Sequence, residues 1–213
     1  MQNAAFAARA PELAYVLVEV GAERLEQAVA GLSALGFAGA NVTIPHKQAA
    51  AALCDEADGD SVNTLVLRDG RLLGFNTDQE IVRGIEAERV CLIGAGGAAA
   101  TLLPALGGDV RQFSRKGAWP PDASGCDLVV NATPVRDELL VEPTAEQAVV
   151  DLAYNADGSP TALIGAARAA GCRVVVDGLE ALVRQGAASF RLWTGVDAPV
   201  EVMRAALGLG DGA

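Results

Sequence analysis

Val90-Cys91-Leu92-Ile93-Gly94-Ala95-Gly96-Gly97-Ala98-Ala99 is the stretch that decides the fold. Four apolar residues read as a buried strand, and the Gly94-x-Gly96-x-x-Ala99 spacing fits the dinucleotide fingerprint with alanine in the third glycine's place. An alanine-rich helix follows. Gly94 permits a tight turn, and Gly96 lets a pyrophosphate approach backbone N–H groups at a helix N-terminus, where the dipole favours anions. Taken alone the pattern is weak, since a glycine-rich turn without a ligand has the same letters; the strand-turn-helix context gives it weight. The uncharged run Val90–Gly108 has the length of a membrane span, but Pro104 and five glycines interrupt it.

Working outward, strand-like apolar runs alternate with helix-like stretches, which predicts an α/β fold with a mostly parallel sheet. Downstream, strands are expected at Val110–Phe113, Leu128–Asn131, Val149–Leu152 and Val174–Asp177, with helices at Ala98–Leu106 and Thr161–Ala170. Gly117–Gly125 reads as a shortened loop-helix connection. Further helices are expected from near Leu179 and over Val200–Leu207. Upstream, the pattern predicts strands at Tyr15–Val20 and Ala38–Thr43, and helices at Leu25–Leu35 and Gln48–Ala57. Val62–Arg68 and Arg71–Phe75 flank Asp69-Gly70, a hairpin dipeptide. Thr77-Asp78 is expected to cap a helix to about Ala87. The expected division is residues 1–78 as a smaller α/β substrate-binding domain, completed by C-terminal helices over 179–213, and residues 79–178 as a Rossmann-type domain.

The end of the strand after the fingerprint bears on which dinucleotide fits. NAD sites usually place a carboxylate there for the ribose 2′-hydroxyl. Here the residues are Phe113-Ser114-Arg115-Lys116, and the two cations suit a 2′-phosphate. NADP is therefore the expected cofactor; a solvated basic turn is the plainer alternative.

Three short polar motifs close apolar runs in the first 80 residues: Asn41-Val42-Thr43-Ile44-Pro45-His46-Lys47, Val62-Asn63-Thr64 and Asn76-Thr77-Asp78. Strand ends are where α/β folds place ligands. Asn and Thr both donate and accept, which suits a substrate with several hydroxyls. Lys47 and Asp78 form an acid/base pair able to manage a hydroxyl proton while hydride leaves the same carbon. Singly, each motif also reads as turn chemistry or a helix cap.

The 213 residues carry 16 basic and 27 acidic side chains, a net charge of −11. That balance argues against a general grip on nucleic acid or anionic lipid. Cys54, Cys91, Cys126 and Cys172 contain no Cys-x-x-Cys pair, and one histidine leaves little from which to build a zinc site. Reduced thiols in the cytoplasm, and no metal, are the expectation. The N-terminal residues lack a signal-peptide core.

In combination these motifs resemble the shikimate dehydrogenase family, joined by Ser61-Val62-Asn63-Thr64, Gly74-Phe75-Asn76-Thr77-Asp78, Asn131-Ala132-Thr133-Pro134, Asp151-Leu152-Ala153-Tyr154, Asp177-Gly178-Leu179 with Gln185, and Phe190-Arg191-Leu192-Trp193-Thr194-Gly195. The resemblance implies Lys47 as catalytic lysine and Asp78 as its partner. It implies that Asn41, Thr43, Asn63, Asp78, Tyr154 and Gln185 meet the substrate. Gly94, Ala95, Gly96, Gly97 and Ala98 match the pyrophosphate loop, and Ser114, Arg115 and Lys116 the 2′-phosphate turn. Asn131, Ala132, Thr133, Leu152 and Gly178 match other cofactor-side positions.

The resemblance also shows departures. Met1 matches a position the family reaches further along its chain, past a first strand and a serine pair for the substrate carboxylate. Ala100 and Val135-Arg136-Asp137 replace the family's usual residues. A small domain one strand short would expose a sheet edge carrying only Glu19 as protection, so weak substrate binding, self-association and a possible homodimer are expected. Three readings stand at this stage: an NADP-dependent shikimate dehydrogenase, a relative acting on quinate or another cyclic hydroxy acid, and a dinucleotide-binding protein without turnover.

Overall fold

The computed structural model describes residues 1–210. The chain divides into two compact units, one formed by Met1–Asp78 with the chain from Val183 onward, the other by Gln79–Leu182. Among the described residues, no helix is long and apolar enough to cross a membrane.

The first unit opens with α1 (Gln2–Arg9). A short 3-10 turn leads into α2 (Leu25–Ala34), followed by β1 (Gly39–Asn41), α3 (Lys47–Ala52), β2 (Glu56–Ala57), β3 (Thr64–Arg68) and β4 (Arg71–Phe75). The four strands form a sheet in the order β1-β3-β4-β2. β3 and β4 are an antiparallel hairpin, with Asp69 at φ 52° and Gly70 at φ 76°. Both positive φ values are what a two-residue turn needs to follow the strand twist, and Asp-Gly is suited to supply them. Leu25 and Val29 of α2, Ala50 of α3, Val62 and Leu65 bury together against this sheet.

The second unit holds five parallel strands in the order β6-β5-β7-β8-β9: β5 (Arg89–Ile93), β6 (Asp109–Phe113), β7 (Leu128–Asn131), β8 (Ala148–Asp151) and β9 (Val174–Val176). Each strand of β7 and β8 is buried along its whole length. A parallel sheet covered on both faces asks for continuous apolar runs, and Leu-Val-Val-Asn and Ala-Val-Val-Asp are of that kind. Alternate residues go to opposite faces: Val90, Leu92, Leu128 and Val130 to one cluster, Cys91, Ile93 and Val129 to the other. β5 lies between β6 and β7, so the chain order reverses there, and the carboxyl ends of β5 and β7 form the crevice where such sheets bind ligands. Between β5 and β6, α4 (Gly97–Leu102) gives way to a 3-10 turn containing Pro104, whose missing N–H ends the α-helical ladder. α5 (Ala162–Ala170) links β8 to β9; Thr161 caps its start and Gly171 ends it in the left-handed conformation.

α6 (Gly178–Thr194) and α7 (Val200–Ala205) complete the chain. In the first unit, Phe190 and Trp193 of α6 pack on Phe6 of α1 at ring separations of 5.3 and 6.4 Å, and Met203 of α7 joins the same cluster. The Trp193 indole N–H donates to the Leu65 carbonyl at 2.9 Å. A side chain at Gly39 would overlap both that carbonyl and the indole, so glycine there lets the helix seat on the sheet.

Four expected elements are corrected. Tyr15–Val20 is not a strand. Tyr15 is held by the side chain of Asn3 at both its N–H and its carbonyl, and the Val20 carbonyl by His46 Nε2, but Val16 to Glu19 have no ladder partner among the described residues. The Gln48–Ala57 helix stops at Ala52, because Asp55 exchanges hydrogen bonds with Leu72 and draws Glu56-Ala57 alongside β4 as a parallel strand. The helix expected from Thr77 to Ala87 is a 3-10 turn over Thr77–Ile81 followed by turns through Gly84 at φ 78°, which drop Ile81 and Val82 into the core of the second unit. The Gly117–Gly125 connection contains no helix.

Candidate active site

In the first unit, three sequence motifs converge. Lys47 opens α3, Asn63 precedes β3, and Asp78 follows β4 within the 3-10 turn. Lys47 Nζ donates to Asp78 Oδ2 at 2.5 Å, and Asn63 Nδ2 donates to Asp78 Oδ1 at 2.7 Å. Both carboxylate oxygens are engaged and the ion pair is mostly buried, so the ammonium is held by a fixed partner in partial shelter from water.

Behind this pair lies a buried hydroxyl cluster. Asn63 Oδ1 accepts from the Thr77 N–H at 2.8 Å, from Thr77 Oγ1 at 3.0 Å and from Thr64 Oγ1 at 3.1 Å. Three donors on the oxygen leave the amide nitrogen facing Asp78, which settles the side chain's orientation. Ser189 of α6 lies 2.8 Å from Thr64 Oγ1 and 3.2 Å from Thr77 Oγ1. Asn41, at the end of β1, donates to Ser189 Oγ and Thr64 Oγ1 at 3.0 Å each, and accepts from Tyr15 OH at 3.1 Å. Burial pushes the Tyr15 phenol above its ordinary pKa, which keeps it a donor.

Three other substrate-side residues were singled out from the sequence. Thr43 is exposed. Gln185 sits one turn before Ser189 on α6, and its carbonyl accepts from the Ser189 hydroxyl at 3.1 Å. Tyr154 belongs to the second unit, where its ring is exposed.

In the second unit, the loop after β5 has the shape its glycines predict. Gly94 has φ 124°, and a Cβ there would come within 2.9 Å of the Ala132 carbonyl oxygen. A Cβ on Gly96 would meet nothing within 4 Å, so space lies above the loop where an anion can approach. Among the described residues, the N–H groups of Ala95, Gly96, Gly97 and Ala98 have no backbone acceptor. Four unpaired amides beside open space at a strand-to-helix turn fit a pyrophosphate. Past β6, Arg115 and Lys116 are exposed; Arg115 is 5.7 Å from the Trp119 ring centre and 3.8 Å from Glu138.

Asn131, at the end of β7, has its side chain bonded within the second unit. Its Nδ2 donates to Asp151 Oδ1 and the Val135 carbonyl, while its Oδ1 accepts from the N–H and hydroxyl of Thr133. Its polar atoms are spent inside the protein, shaping the Ala132-Thr133 loop. Leu152 follows β8, its N–H bonded to the Asn131 carbonyl, and Gly178 begins α6, where a Cβ would strike the Ala153 carbonyl.

The chain is 39% identical to the shikimate dehydrogenase (NADP(+)) of Anaeromyxobacter dehalogenans, with all of this chain and 91% of that protein covered. It belongs to the shikimate dehydrogenase family. The enzyme of the same name from Moorella thermoacetica is 37% identical, over all of this chain and 90% of that one. Residues 1–65 match the family model described as the shikimate dehydrogenase substrate binding domain, and residues 178–207 the shikimate 5'-dehydrogenase C-terminal domain. A crystal structure of a shikimate dehydrogenase in complex with NADP+ superimposes with a TM-score of 0.83 at 28% identity, covering 99% of this chain and 90% of the other.

Four polar residues of the site in this shikimate dehydrogenase family member were not assigned a role from sequence: Tyr15, Thr64, Thr77 and Ser189. Thr64 and Thr77 stand inside quoted motifs, so their position was available. Ser189 lies 125 residues from Thr64 in the chain, and no local pattern announces it.

Proposed function

We propose that this chain catalyses the NADP-dependent, reversible reduction of 3-dehydroshikimate to shikimate, a step toward chorismate and the aromatic amino acids. The observation that carries the reading is the Lys47–Asp78–Asn63 arrangement in a chain of this family. When bound, the nicotinamide supplies or takes up the hydride. Lys47 gives a proton to the carbonyl oxygen during reduction and receives it from the hydroxyl during oxidation. Asp78 holds the ammonium in place, and Asn63 keeps the second carboxylate oxygen occupied so that Asp78 stays turned toward Lys47. Asn41, Thr43, Tyr154 and Gln185 are the further residues proposed to meet substrate. The free amides of Ala95 to Ala98 take the pyrophosphate, with Arg115 and Lys116 reading the 2′-phosphate.

The four cysteines are free thiols, in keeping with a cytoplasmic enzyme. A homodimer is part of the proposal. Val16, Leu17 and Val18 are 56, 94 and 69% exposed, and their backbone groups have no backbone partner among the described residues. Ala14-Tyr15-Val16-Leu17-Val18-Glu19-Val20 is nearly symmetric about Leu17. Two copies pairing antiparallel there set Val16 against Val18 and Glu19 against Tyr15, with no like charges directly opposed.

The test is absorbance at the nicotinamide band with shikimate and quinate, each against NADP+ and NAD+. Turnover greatest with shikimate and NADP+ is expected. Preference for quinate would move the chain to the second reading, and cofactor binding without turnover would overturn catalysis altogether.

A further inference from the structure

The first peptide of the fingerprint loop is oriented from outside the loop. Gly94 follows β5, and its two backbone groups belong to two different peptide units. Its N–H donates to the Phe113 carbonyl at 2.8 Å, which fixes the Ile93–Gly94 unit alongside β6. Its carbonyl belongs to the Gly94–Ala95 unit, and there the Gln112 side chain donates from Nε2 at 2.8 Å. A carbonyl can only accept, so the amide nitrogen of Gln112 must be the atom that faces it. Among the described residues no other donor reaches that carbonyl, and the Ala95 N–H of the same unit has no backbone acceptor. The Gly94–Ala95 unit is thus tied at one point only.

That one bond decides which way the Ala95 N–H points. The unit is trans, and in a planar trans peptide the carbonyl and the N–H point in opposite directions. With the carbonyl tied to Gln112, the N–H is turned away from that side chain and stays free for an anion. Rotated by half a turn, the unit would put its carbonyl oxygen where the N–H now stands, and the oxygen would repel a phosphate. Gly94, at φ 124°, has no Cβ to resist such a rotation. Gln112 is exposed on the edge strand β6, two residues on from Val110, which packs against the core on the same face. Its replacement therefore costs little packing.

We propose that Gln112 is a positioning residue for the dinucleotide, holding the Gly94–Ala95 peptide so that the Ala95 N–H is presented to the pyrophosphate. This rests on the reading above that the amides of Ala95 to Ala98 take the pyrophosphate, and deepens it by naming what orients the first of them. NADP and NAD share the pyrophosphate, so Gln112 acts on affinity for both and leaves the choice between them to other residues.

The experiment is calorimetric titration of wild type and Gln112→Met with NADP+, NAD+ and adenosine 2′-monophosphate, which carries the 2′-phosphate but no pyrophosphate. Methionine keeps the length and loses the donor. The variant should bind NADP+ and NAD+ more weakly by the same factor, about three- to tenfold, the scale of one neutral hydrogen bond. Its affinity for adenosine 2′-monophosphate should not change. In the nicotinamide assay, KM for NADP+ should rise by that factor with kcat unaltered, the mark of an interaction made equally in ground and transition states. Unchanged dinucleotide affinity would overturn the proposal. An equal loss for adenosine 2′-monophosphate would do the same, because it would reduce Gln112 to general support for the end of β6. Gly96→Val tests the reading underneath, since it puts a side chain into the open space above the loop. If Gly96→Val loses the dinucleotides while Gln112→Met binds them as wild type does, the proposal alone fails. If Gly96→Val binds them normally, the pyrophosphate lies elsewhere and both fail.

Discussion

Asn63 donates from Nδ2 to Asp78 Oδ1 at 2.7 Å while its own oxygen takes three donors from Thr64 and Thr77. The amide thus joins the hydroxyl cluster to the Lys47–Asp78 pair and cannot turn without losing every one of those bonds. Asn63→Asp keeps the shape and replaces the donor with an acceptor. Two carboxyl groups would then face each other at hydrogen-bond distance and share a proton, which raises the pKa of one of them. Turnover should fall by two decades or more, on the order of a lost acid/base contribution. The pH–rate profile should gain a new acidic limb; an unchanged profile would take Asn63 out of the proton-handling site.

Lys47→Ala removes the group proposed to carry the proton. Its kcat should drop by about two to four decades, with NADP affinity little altered, because the lysine stands outside the residues that would hold the dinucleotide. Fluorescence titration of NADPH checks the second half of that statement. Full turnover in the purified variant would remove Lys47 from the mechanism.

How much of this was legible in the sequence follows from where each signal resides. The strands of the second unit announce themselves because burial on both faces demands continuous apolar runs, as at Leu128–Asn131. Tyr15–Val20 has the same apolar letters but no ladder partner among the described residues, and strand formation depends on pairing as well as on letters. The Thr77-Asp78 cap signal is real but local, and tertiary demand for Ile81 and Val82 in a core ended the helix early. Lys47, Asn63 and Asp78 were readable because each lies in a short motif at a strand end. Ser189 was not, because its role comes from a helix returning to distant residues. The bonds by which Asn131 holds its own loop were not legible, because their partners Asp151 and Val135 are brought to it by the fold.

Asp151 gives a pH-dependent prediction. Its carboxyl is fully buried, and that burial raises its pKa above the ordinary value, opposed by bonds from Thr161, Ala153 and Asn131; the charge of Asp177 adds to the rise. A carboxyl with a raised native pKa contributes stability that is whole below its unfolded pKa and is lost as pH climbs through the native value. Asp151→Asn carries no such charge. The variant should therefore gain on wild type as pH increases from about 3 to 7, and compare worst at the acid end. Urea denaturation across that range measures it, and a constant difference would mean that Asp151 is no more protonated in the native state than in the unfolded chain.

Arg115→Ala tests cofactor choice. The guanidinium is exposed and its nearest carboxylate, Glu138, is 3.8 Å away, so it is available to an incoming phosphate. Removing it should weaken NADP binding by about 1.5–3 kcal/mol, the scale of a hydrogen bond to a charged group, and leave NAD nearly untouched. Calorimetric titration with both dinucleotides reads the difference. Equal losses would show that Arg115 does not contact the 2′-phosphate.

Leu17→Lys tests the proposed pairing of two copies. Leu17 is almost wholly exposed and lies at the centre of the near-symmetric segment, so in an antiparallel pair the two residues at this position stand across the two-fold axis from each other. Lysine there opposes two like charges and also supplies the edge charge that natural strands use against association. The fold of each copy should be indifferent, because residue 17 packs against no core cluster. Sedimentation equilibrium should show wild type associating at micromolar concentration and Leu17→Lys remaining a monomer, with unchanged thermal stability at low protein concentration. Glu19→Lys gives a second check: in the proposed register position 19 lies opposite Tyr15, so this charge reversal should leave association largely intact. If Leu17→Lys associates as wild type does, the contact between copies lies on another surface, and Val16–Val18 is exposed for a reason other than pairing.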